Sequence, residues 1–154
     1  MFTACVGTID GSATAEIEAP IADVFAIAAD VEGSPRWQPE IKVAEVRKRD
    51  ADGRQVLVHT ETDAKVRALS SDLRFSYDEP TGLSWVQEEG DLKSVEGSWE
   101  FEDLGDGRTR ATYSMSVDLG RMLGMLIRGP LVGVLRGQLV ESMPGKLKGF
   151  VETA

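Results

Sequence analysis

The stretch PLVGVLRGQLVESMPGKLKGFV, residues 130–151, decides how the rest of the chain folds. Pro130 suits the first position of a helix, because a proline lacks the N–H group that would be unpaired there. Four glycines and Pro144 disfavour a helix that stands alone in water, since each glycine costs about 1 kcal/mol and an internal proline about 3 kcal/mol. The large apolar side chains nevertheless recur at intervals of three and four residues, which predicts one apolar stripe that the surrounding chain must cover: Leu131, Val134, Leu135, Leu139, Met143, Leu147 and Phe150.

Length and charge narrow the classes of function. A chain of 154 residues is long enough for one domain with a real core, and we expect a single domain over residues 1–154. Its formal net charge of −9 argues against a nucleic-acid partner, which requires a basic face. Cys5 and His59 are the only cysteine and histidine, so the sequence predicts no disulfide framework, no metal site and no cofactor.

The sequence also suggests a location. The first ten residues lack the basic start and long apolar middle of a secretory signal. Residues 119–140 are the most apolar region, but Arg121, Arg128 and Arg136 interrupt them, which argues against a membrane span. We therefore expect a cytoplasmic protein.

The first third of the chain predicts a strand and two short helices. Residues 12–18 alternate apolar with polar side chains, as a half-buried strand does. Pro20 then opens a helix, Gly33 ends it, and Ser34 with Pro35 caps a second, very short helix that carries Trp37. One face of the first helix is apolar: Ile21, Val24, Phe25 and Ala28.

Residues 41–117 are typical of a long antiparallel meander, with turn signals between successive strands. The last hairpin is the best determined. A three-residue loop, Gly105-Asp106-Gly107, with a glycine in the left-handed region predicts a register that puts every apolar residue on one face. The predicted pairs are Leu104 with Arg108, Glu102 with Arg110, Phe101 with Ala111, Glu100 with Thr112, Trp99 with Tyr113, Gly97 with Met115 and Val95 with Val117.

The same reasoning applies to the hairpin that turns at Ala51-Asp52-Gly53. It predicts Val46 opposite Val58 and Lys48 opposite Val56. His59 then points outward beside Glu45, away from the apolar face.

Three stretches of the chain resemble the START/Bet v 1-like (SRPBCC) superfamily, in its bacterial polyketide cyclase/dehydrase and lipid transport branch. They are EAPIADVFAIAADVEGSPRWQPEIKVAEV, then YDEPTGLSWVQEEGDLKSVEGSWEFEDLGDGRTRATYSMSVDLG, then the terminal helix. The resemblance implies an α+β helix-grip fold, in which a curved seven-stranded antiparallel sheet wraps around a long C-terminal helix, with two short helices after the first strand. It also implies a hydrophobic pocket between sheet and helix for a lipid, an isoprenoid or a polyketide.

Small residues on the sheet and on the terminal helix are consistent with such a pocket, because short side chains need not fill the space between the two layers. They are Ala13, Ala15, Gly97, Ala111 and the helix glycines. The alternative is that these residues permit close packing of helix on sheet. Trp99 and Tyr113 are candidate ligand platforms, Trp37 a candidate gate, and the Tyr77 hydroxyl a group to orient a ligand oxygen; ordinary core packing is the competing interpretation. The predicted ligand-binding residues are Trp37, Phe75, Tyr77, Trp85, Trp99, Tyr113, Met115, Leu135, Leu139 and Met143.

The sequence leaves three functions open. The first is binding, sequestration or transport of a hydrophobic small molecule. The second is a polyketide cyclase or dehydratase that uses a pocket tyrosine or arginine, for which Arg67 and Arg74 are candidates; no catalytic residue is assigned. The third is a protein or membrane contact through the apolar cluster that Arg121 and Arg128 flank: Met122, Leu123, Met125, Leu126 and Ile127. Pro144 should kink the terminal helix and is a candidate hinge for ligand entry.

Overall fold

A computed structural model describes residues 8–65 and 67–153. Cys5 and most of the amino-terminal segment considered above lie outside these residues. The described chain forms one seven-stranded antiparallel sheet in the order β1-β7-β6-β5-β4-β3-β2, together with a C-terminal helix, which confirms the α+β helix-grip architecture. The strands are β1 (Thr8–Ile17), β2 (Ile41–Arg49), β3 (Gln55–Asp63), β4 (Ala68–Asp78), β5 (Gly82–Gly90), β6 (Ser94–Gly105) and β7 (Arg108–Asp118).

The first strand of the chain forms one edge of the sheet and lies beside the last strand. β1 pairs along its whole length with β7, from Thr8 opposite Asp118 to Ile17 opposite Thr109. Its side chains alternate between covered and exposed, as predicted, but the strand begins before residue 12. This pairing places the first and last strands of the chain side by side, so the C-terminal helix can pack across β1 and β7.

Two short helices follow β1, with boundaries that differ from those predicted. The helix α1 (Ile21–Ala29) buries Val24, Phe25 and Ala28, but it ends before Gly33. A 3-10 turn (Val31–Arg36) follows, and its cap is Asp30 rather than Ser34, because the Asp30 carboxylate accepts a hydrogen bond from the Gly33 N–H. The Ser34 hydroxyl donates to the Val31 carbonyl instead.

The β6–β7 hairpin has the predicted register from Glu102–Arg110 to Val95–Val117. Its end differs, because Gly105 rather than Leu104 lies opposite Arg108. Asp106 and Gly107 both have positive φ, which is typical of a two-residue type I′ turn, and Leu104 is the extra residue of a bulge. The observed turn is one residue shorter than the predicted three-residue loop, and the bulge at Leu104 compensates for that residue, so the other pairs keep the predicted register.

The β2–β3 hairpin pairs Val46 with Val58 and Glu45 with His59, as predicted. Lys48, however, lies opposite Leu57 rather than Val56, because the register shifts after Val46. Irregularities of this kind bend a strand and increase its twist, and similar ones occur in β5 and β6. They fit the curvature that lets the sheet enclose a helix.

The chain after β7 is helical but uneven. A short helix α2 (Gly120–Leu126) is followed by α3 (Pro130–Arg136), a π-helical turn (Gly137–Glu141) and α4 (Met143–Thr153). Pro130 occupies the start of α3, as predicted. Among the described residues no single helix is long and apolar enough to span a membrane; α2 and the helical region Pro130–Thr153 reach that length and composition only together, as a pair bent by 106°.

The predicted apolar stripe is only partly correct, and the π-helical turn accounts for the error at Val140, which lies within it. Leu135, Met143 and Leu147 are buried, whereas Val134 is 53 % exposed. Val140, which the regular spacing leaves off the stripe, is fully buried. Each extra residue in a π turn rotates the following residues around the helix axis, so a stripe counted at 3.6 residues per turn fails across it.

Candidate ligand-binding cavity

A cavity of about 150 Å³ lies between the concave face of the sheet and the C-terminal helix. Its walls are mainly apolar, and they include Leu69 and Val95 from the sheet and Leu135 from α3. In another protein an engineered cavity of about this volume stays dry and accepts benzene. The cavity as it stands therefore matches a guest about the size of one aromatic ring.

Four aromatic side chains form a continuous wall of this cavity. The ring centroid of Trp85 lies 5.6 Å from that of Phe75 and 5.7 Å from that of Tyr113, and the centroid of Tyr113 lies 4.8 Å from that of Trp99. All four side chains are buried. Rings at these separations and tilts contact one another favourably, so the four side chains form one continuous aromatic surface.

The structure brings eight of the ten sequence-predicted ligand residues to the cavity wall. They lie on β4, β5, β6, β7, α3, the π-helical turn and α4, and they are Phe75, Trp85, Trp99, Tyr113, Met115, Leu135, Leu139 and Met143. That they contact a ligand remains a prediction.

Trp37 and Tyr77 do not line the cavity. Trp37, the candidate gate, is buried against Trp99, with centroids 6.2 Å apart, and its Nε1 has no acceptor among the described residues. The Tyr77 hydroxyl donates to the Gln55 carbonyl at 2.6 Å, and its ring is covered by the Arg54 guanidinium at 5.1 Å. Burial raises the pKa of Tyr77 to about 12. This hydroxyl is therefore already engaged.

The small residues do not create the cavity in the way the sequence suggested. Gly97 leaves room for the Trp85 ring, since a Cβ there would lie 2.5 Å from that ring. The helix glycines Gly133, Gly145 and Gly149 are exposed, and a Cβ on any of them would meet nothing within 4 Å. The space for a guest is instead bounded by the large side chains of the concave sheet face.

Tyr113 provides the one buried hydroxyl among the aromatic groups of the wall. Its O–H points to the Met115 sulfur at 3.8 Å, the only hydrogen-bonding contact it makes within the described residues. Burial raises the pKa of Tyr113 far above its ordinary value, so the group stays protonated. A thioether is a weak acceptor, and a ligand oxygen would replace it favourably.

A second polar region of the wall offers acceptors. Thr60 and Ser71 line the cavity, and their hydroxyl protons are already used: Thr60 donates to the Ser71 carbonyl at 3.2 Å, and Ser71 donates to Gln87 Oε1 at 2.8 Å. Gln87 in turn donates to the Leu92 carbonyl. The two hydroxyl oxygens can therefore accept a hydrogen bond from a guest but have no proton left to donate.

A polar cluster that the sequence reasoning missed joins β2 to the C-terminal helix. Glu40 lines the cavity and accepts hydrogen bonds from Lys146 Nζ at 2.7 Å and from Gln138 Nε2 at 3.2 Å. Desolvation alone would raise the pKa of Glu40, but the bonds from Lys146 and Gln138 outweigh it and the pKa is lowered. Leu139, Met143 and Lys146 follow one another at gaps of four and three residues, so Lys146 lies on the apolar stripe of the helix. A charged residue on that stripe was the signal in the sequence for a buried polar contact.

The remaining candidate polar residues lie on the outer face. His59 Nδ1 is 2.6 Å from the Asp72 carboxylate and Nε2 is 3.2 Å from that of Glu61; the Asp72 bond is the main reason that the pKa of His59 is raised. Arg67 is paired with Asp91, and Arg74 with Glu88. Neither arginine lines the cavity, so neither is in place to anchor a guest.

Comparisons with known proteins fit this geometry. The model of the family described as polyketide cyclase / dehydrase and lipid transport matches residues 17–143. No curated protein sequence matches the chain significantly.

Solved structures share the fold over nearly the whole chain. A START superfamily protein from Mycobacterium smegmatis has a TM-score of 0.81 and 24 % identity, covering 94 % of this chain and 98 % of that one. A protein from Thermus thermophilus has a TM-score of 0.79 and 25 % identity, with coverages of 94 % and 97 %. The ZhuI aromatase/cyclase from Streptomyces sp. R1128 has a TM-score of 0.71 at 17 % identity, with 94 % of each chain covered.

Proposed function

The chain belongs to the polyketide cyclase / dehydrase and lipid transport family, and from this premise we propose that it binds a small amphipathic molecule in the cavity between sheet and helix. Its guest is lipid-like, isoprenoid or polyketide-like, and its role is sequestration or transport. The observation that carries this proposal is an apolar cavity whose wall holds a buried hydroxyl, on Tyr113, for which a thioether is the only acceptor in the described part of the chain.

The polarity of the wall narrows the class of guest. Tyr113 offers a donor, which favours a guest with a carbonyl or ether oxygen. Thr60 and Ser71 offer acceptors, which favours a second group that donates, such as a hydroxyl. A guest with an aromatic or isoprenoid skeleton, one acceptor oxygen and one hydroxyl would pair the oxygen with Tyr113 and the hydroxyl with Thr60 or Ser71. Neither polar group of such a guest would then be buried without a hydrogen bond.

Volume sets a further condition. A cavity of about 150 Å³ accommodates one ring, so a lipid or a multi-ring polyketide requires a wall to move. Leu119 and Ile127, at the two ends of α2, line the cavity, whereas Met122, Met125 and Leu126 between them are exposed, so this segment separates the cavity from the surface. We expect larger guests to bind only when α2 is displaced.

Native mass spectrometry of the protein purified from its own host tests the proposal. We expect a second species, heavier than the chain by the mass of one small molecule, which organic extraction releases. Only the bare chain mass, from a preparation that is folded by circular dichroism and that takes up no added amphipathic compound, would contradict a binding role.

A cyclase or dehydratase is the second candidate, and the same Tyr113 hydroxyl favours it. A protonated phenol buried in an apolar wall can polarise a substrate carbonyl by hydrogen bonding. Turnover of an aromatic polyketide intermediate by the wild type, lost in Tyr113→Phe while binding of the intermediate persists, would favour the enzyme. Binding without turnover in both proteins would favour the carrier.

A further inference from the structure

The surface of α2 is unlike the rest of the described chain. Among residues 8–65 and 67–153, five large hydrophobic side chains are strongly exposed, and four of them lie between positions 122 and 134. Three of these lie on α2: Met122 is 77 % exposed, Met125 62 % and Leu126 64 %. At 100° per residue, these three and Arg121 fall within an arc of about 140°, and the buried Leu123 and Gly124 lie on the other side of the helix.

Charge is segregated to the same segment. Residues 119–140 contain three arginines and no aspartate or glutamate, in a chain whose formal net charge is −9. Arg121 and Arg128, one near the start of α2 and one just past its end, are exposed, and the structure gives neither an ion-pair partner among the described residues. The exposed face of α2 is therefore apolar and cationic, whereas the rest of the molecule is acidic.

We propose that the exposed face of α2, formed by Arg121, Met122, Met125, Leu126 and Arg128, docks on the surface of a bilayer that contains anionic phospholipid. Apolar side chains flanked by arginines match the acyl region and the charged headgroups of such a surface. Methionine side chains are flexible and suit a disordered apolar phase. The acidic remainder of the chain is repelled by the same headgroups, so docking is reversible and has one orientation.

The position of α2 links this surface to the cavity. Leu119 and Ile127 line the cavity at the two ends of the segment, while its outer face carries the docking residues. A bilayer that holds α2 would therefore favour its displacement and open the cavity toward the acyl region. This last step rests on the proposed binding function; docking itself does not.

Co-sedimentation with vesicles of phosphatidylcholine, with and without phosphatidylglycerol, tests the proposal. We expect the wild type to bind the anionic vesicles at least ten-fold more than the neutral ones, with binding that falls as salt is added. Met125→Glu should lose at least ten-fold. The double variant Arg121→Gln and Arg128→Gln should bind the anionic vesicles more weakly, by about five-fold for each arginine removed.

Two matched variants control for charge and exposure. Val86→Glu alters the fifth exposed hydrophobic, on β5 and 47 % exposed, and Arg47→Gln alters an exposed arginine paired with Glu45; neither should change vesicle binding. Equal binding to both kinds of vesicle, binding to neither, or a Met125→Glu variant that binds like the wild type would overturn the proposal. So would sedimentation velocity showing a dimer that Met125→Glu converts to a monomer, since a second copy would then cover this face.

Titration with a soluble ligand in the absence of vesicles separates this inference from the proposed function. Met125→Glu should bind 4-hydroxyacetophenone as the wild type does, because residue 125 does not line the cavity. A wild type that binds vesicles but no ligand would refute the carrier role alone. One that binds ligand but no vesicles would refute docking alone.

Discussion

Tyr113 combines the two properties on which the site depends. Its ring centroid lies 4.8 Å from that of Trp99 in the aromatic wall. Within residues 8–65 and 67–153, its hydroxyl has only the Met115 sulfur, at 3.8 Å, as an acceptor. The sequence identified Tyr113 as inward-facing from the β6–β7 register alone. It carried no information on the acceptor, because that depends on the rotamers of two side chains two residues apart on one strand.

Removing this hydroxyl separates its roles in folding and in binding. We expect Tyr113→Phe to change the free energy of unfolding by less than about 1 kcal/mol, because a bond to a thioether contributes little. The affinity for 4-hydroxyacetophenone, which has a carbonyl acceptor, should fall about three- to ten-fold. The affinity for 4-ethylphenol, which lacks that carbonyl, should be unchanged in a ligand-observed NMR titration. Equal losses for both compounds would indicate a packing role only.

Gly97 shows how a single missing Cβ fixes the wall. We expect Gly97→Ala to destabilise the protein by about 2 kcal/mol or more, because the added methyl group would lie 2.5 Å from the Trp85 ring and force it out of place. Urea unfolding followed by circular dichroism measures the loss, and the Trp85 contribution to near-ultraviolet dichroism should change with it. Unaltered stability would mean that the ring can move at no cost.

At the scale of elements, the periodicity of the sequence was informative only where the backbone is regular. Alternation predicted β1 and the β6–β7 register, but the bulges at Leu104 and after Val46 shifted individual pairs. Counting at 3.6 residues per turn omitted Val140, because a π turn cannot be read from apolar spacing. It also placed Val134 in the core, although this residue, which precedes the π turn, is exposed. The order of elements was predictable, and the local irregularities that shape the site were not.

The exposed glycines of the C-terminal helix offer a stabilising change. We expect Gly133→Ala and Gly149→Ala each to raise the free energy of unfolding by about 0.5 to 1 kcal/mol, because alanine favours the helix and its methyl group meets nothing within 4 Å. Thermal unfolding should show a higher midpoint for each variant. Destabilisation by either one would mean that the glycine serves packing or flexibility.

The Glu40–Lys146 pair holds the start of β2 to α4. Its side chains are only 9 % and 20 % exposed, so Lys146→Met leaves a largely buried carboxylate without its main partner. We expect a loss of about 2 to 4 kcal/mol near neutral pH. Lys93→Met is the matched control, because Lys93 is 72 % exposed and its pair with Asp118 should contribute less than about 1 kcal/mol.

The pH dependence of this loss follows from the direction of the Glu40 pKa. A lowered pKa in the folded state stabilises the protein above the ordinary glutamate value of about 4.5, and that stabilisation is lost as the pH falls through the folded-state pKa. The difference between wild type and Lys146→Met, measured by urea unfolding, should therefore be largest near neutral pH and shrink in acid. A difference that is constant across this range would exclude the charge as its cause.

At the scale of the whole molecule, the sheet and helix enclose a space that neither fills. The family resemblance predicted this arrangement, and eight of ten suggested residues line the cavity. Five of them lie on strands, where alternation gives the inward-facing positions, and three lie on the helical region. The Glu40–Lys146 contact escaped prediction, since it joins positions 106 residues apart that no local pattern connects. The cavity volume escaped it as well, because volume depends on the curvature of the sheet.

The claim that a guest occupies this cavity is tested most directly by filling it. Leu139 lines the cavity, whereas Val134, on the same helical region, is exposed, so Leu139→Trp and Val134→Trp add comparable bulk inside and outside. Binding of 4-hydroxyacetophenone is measured by ligand-observed NMR titration on variants whose thermal unfolding shows that they are folded. We predict that Leu139→Trp reduces the affinity at least ten-fold and that Val134→Trp leaves it unchanged. Undiminished binding by a folded Leu139→Trp variant would contradict the account.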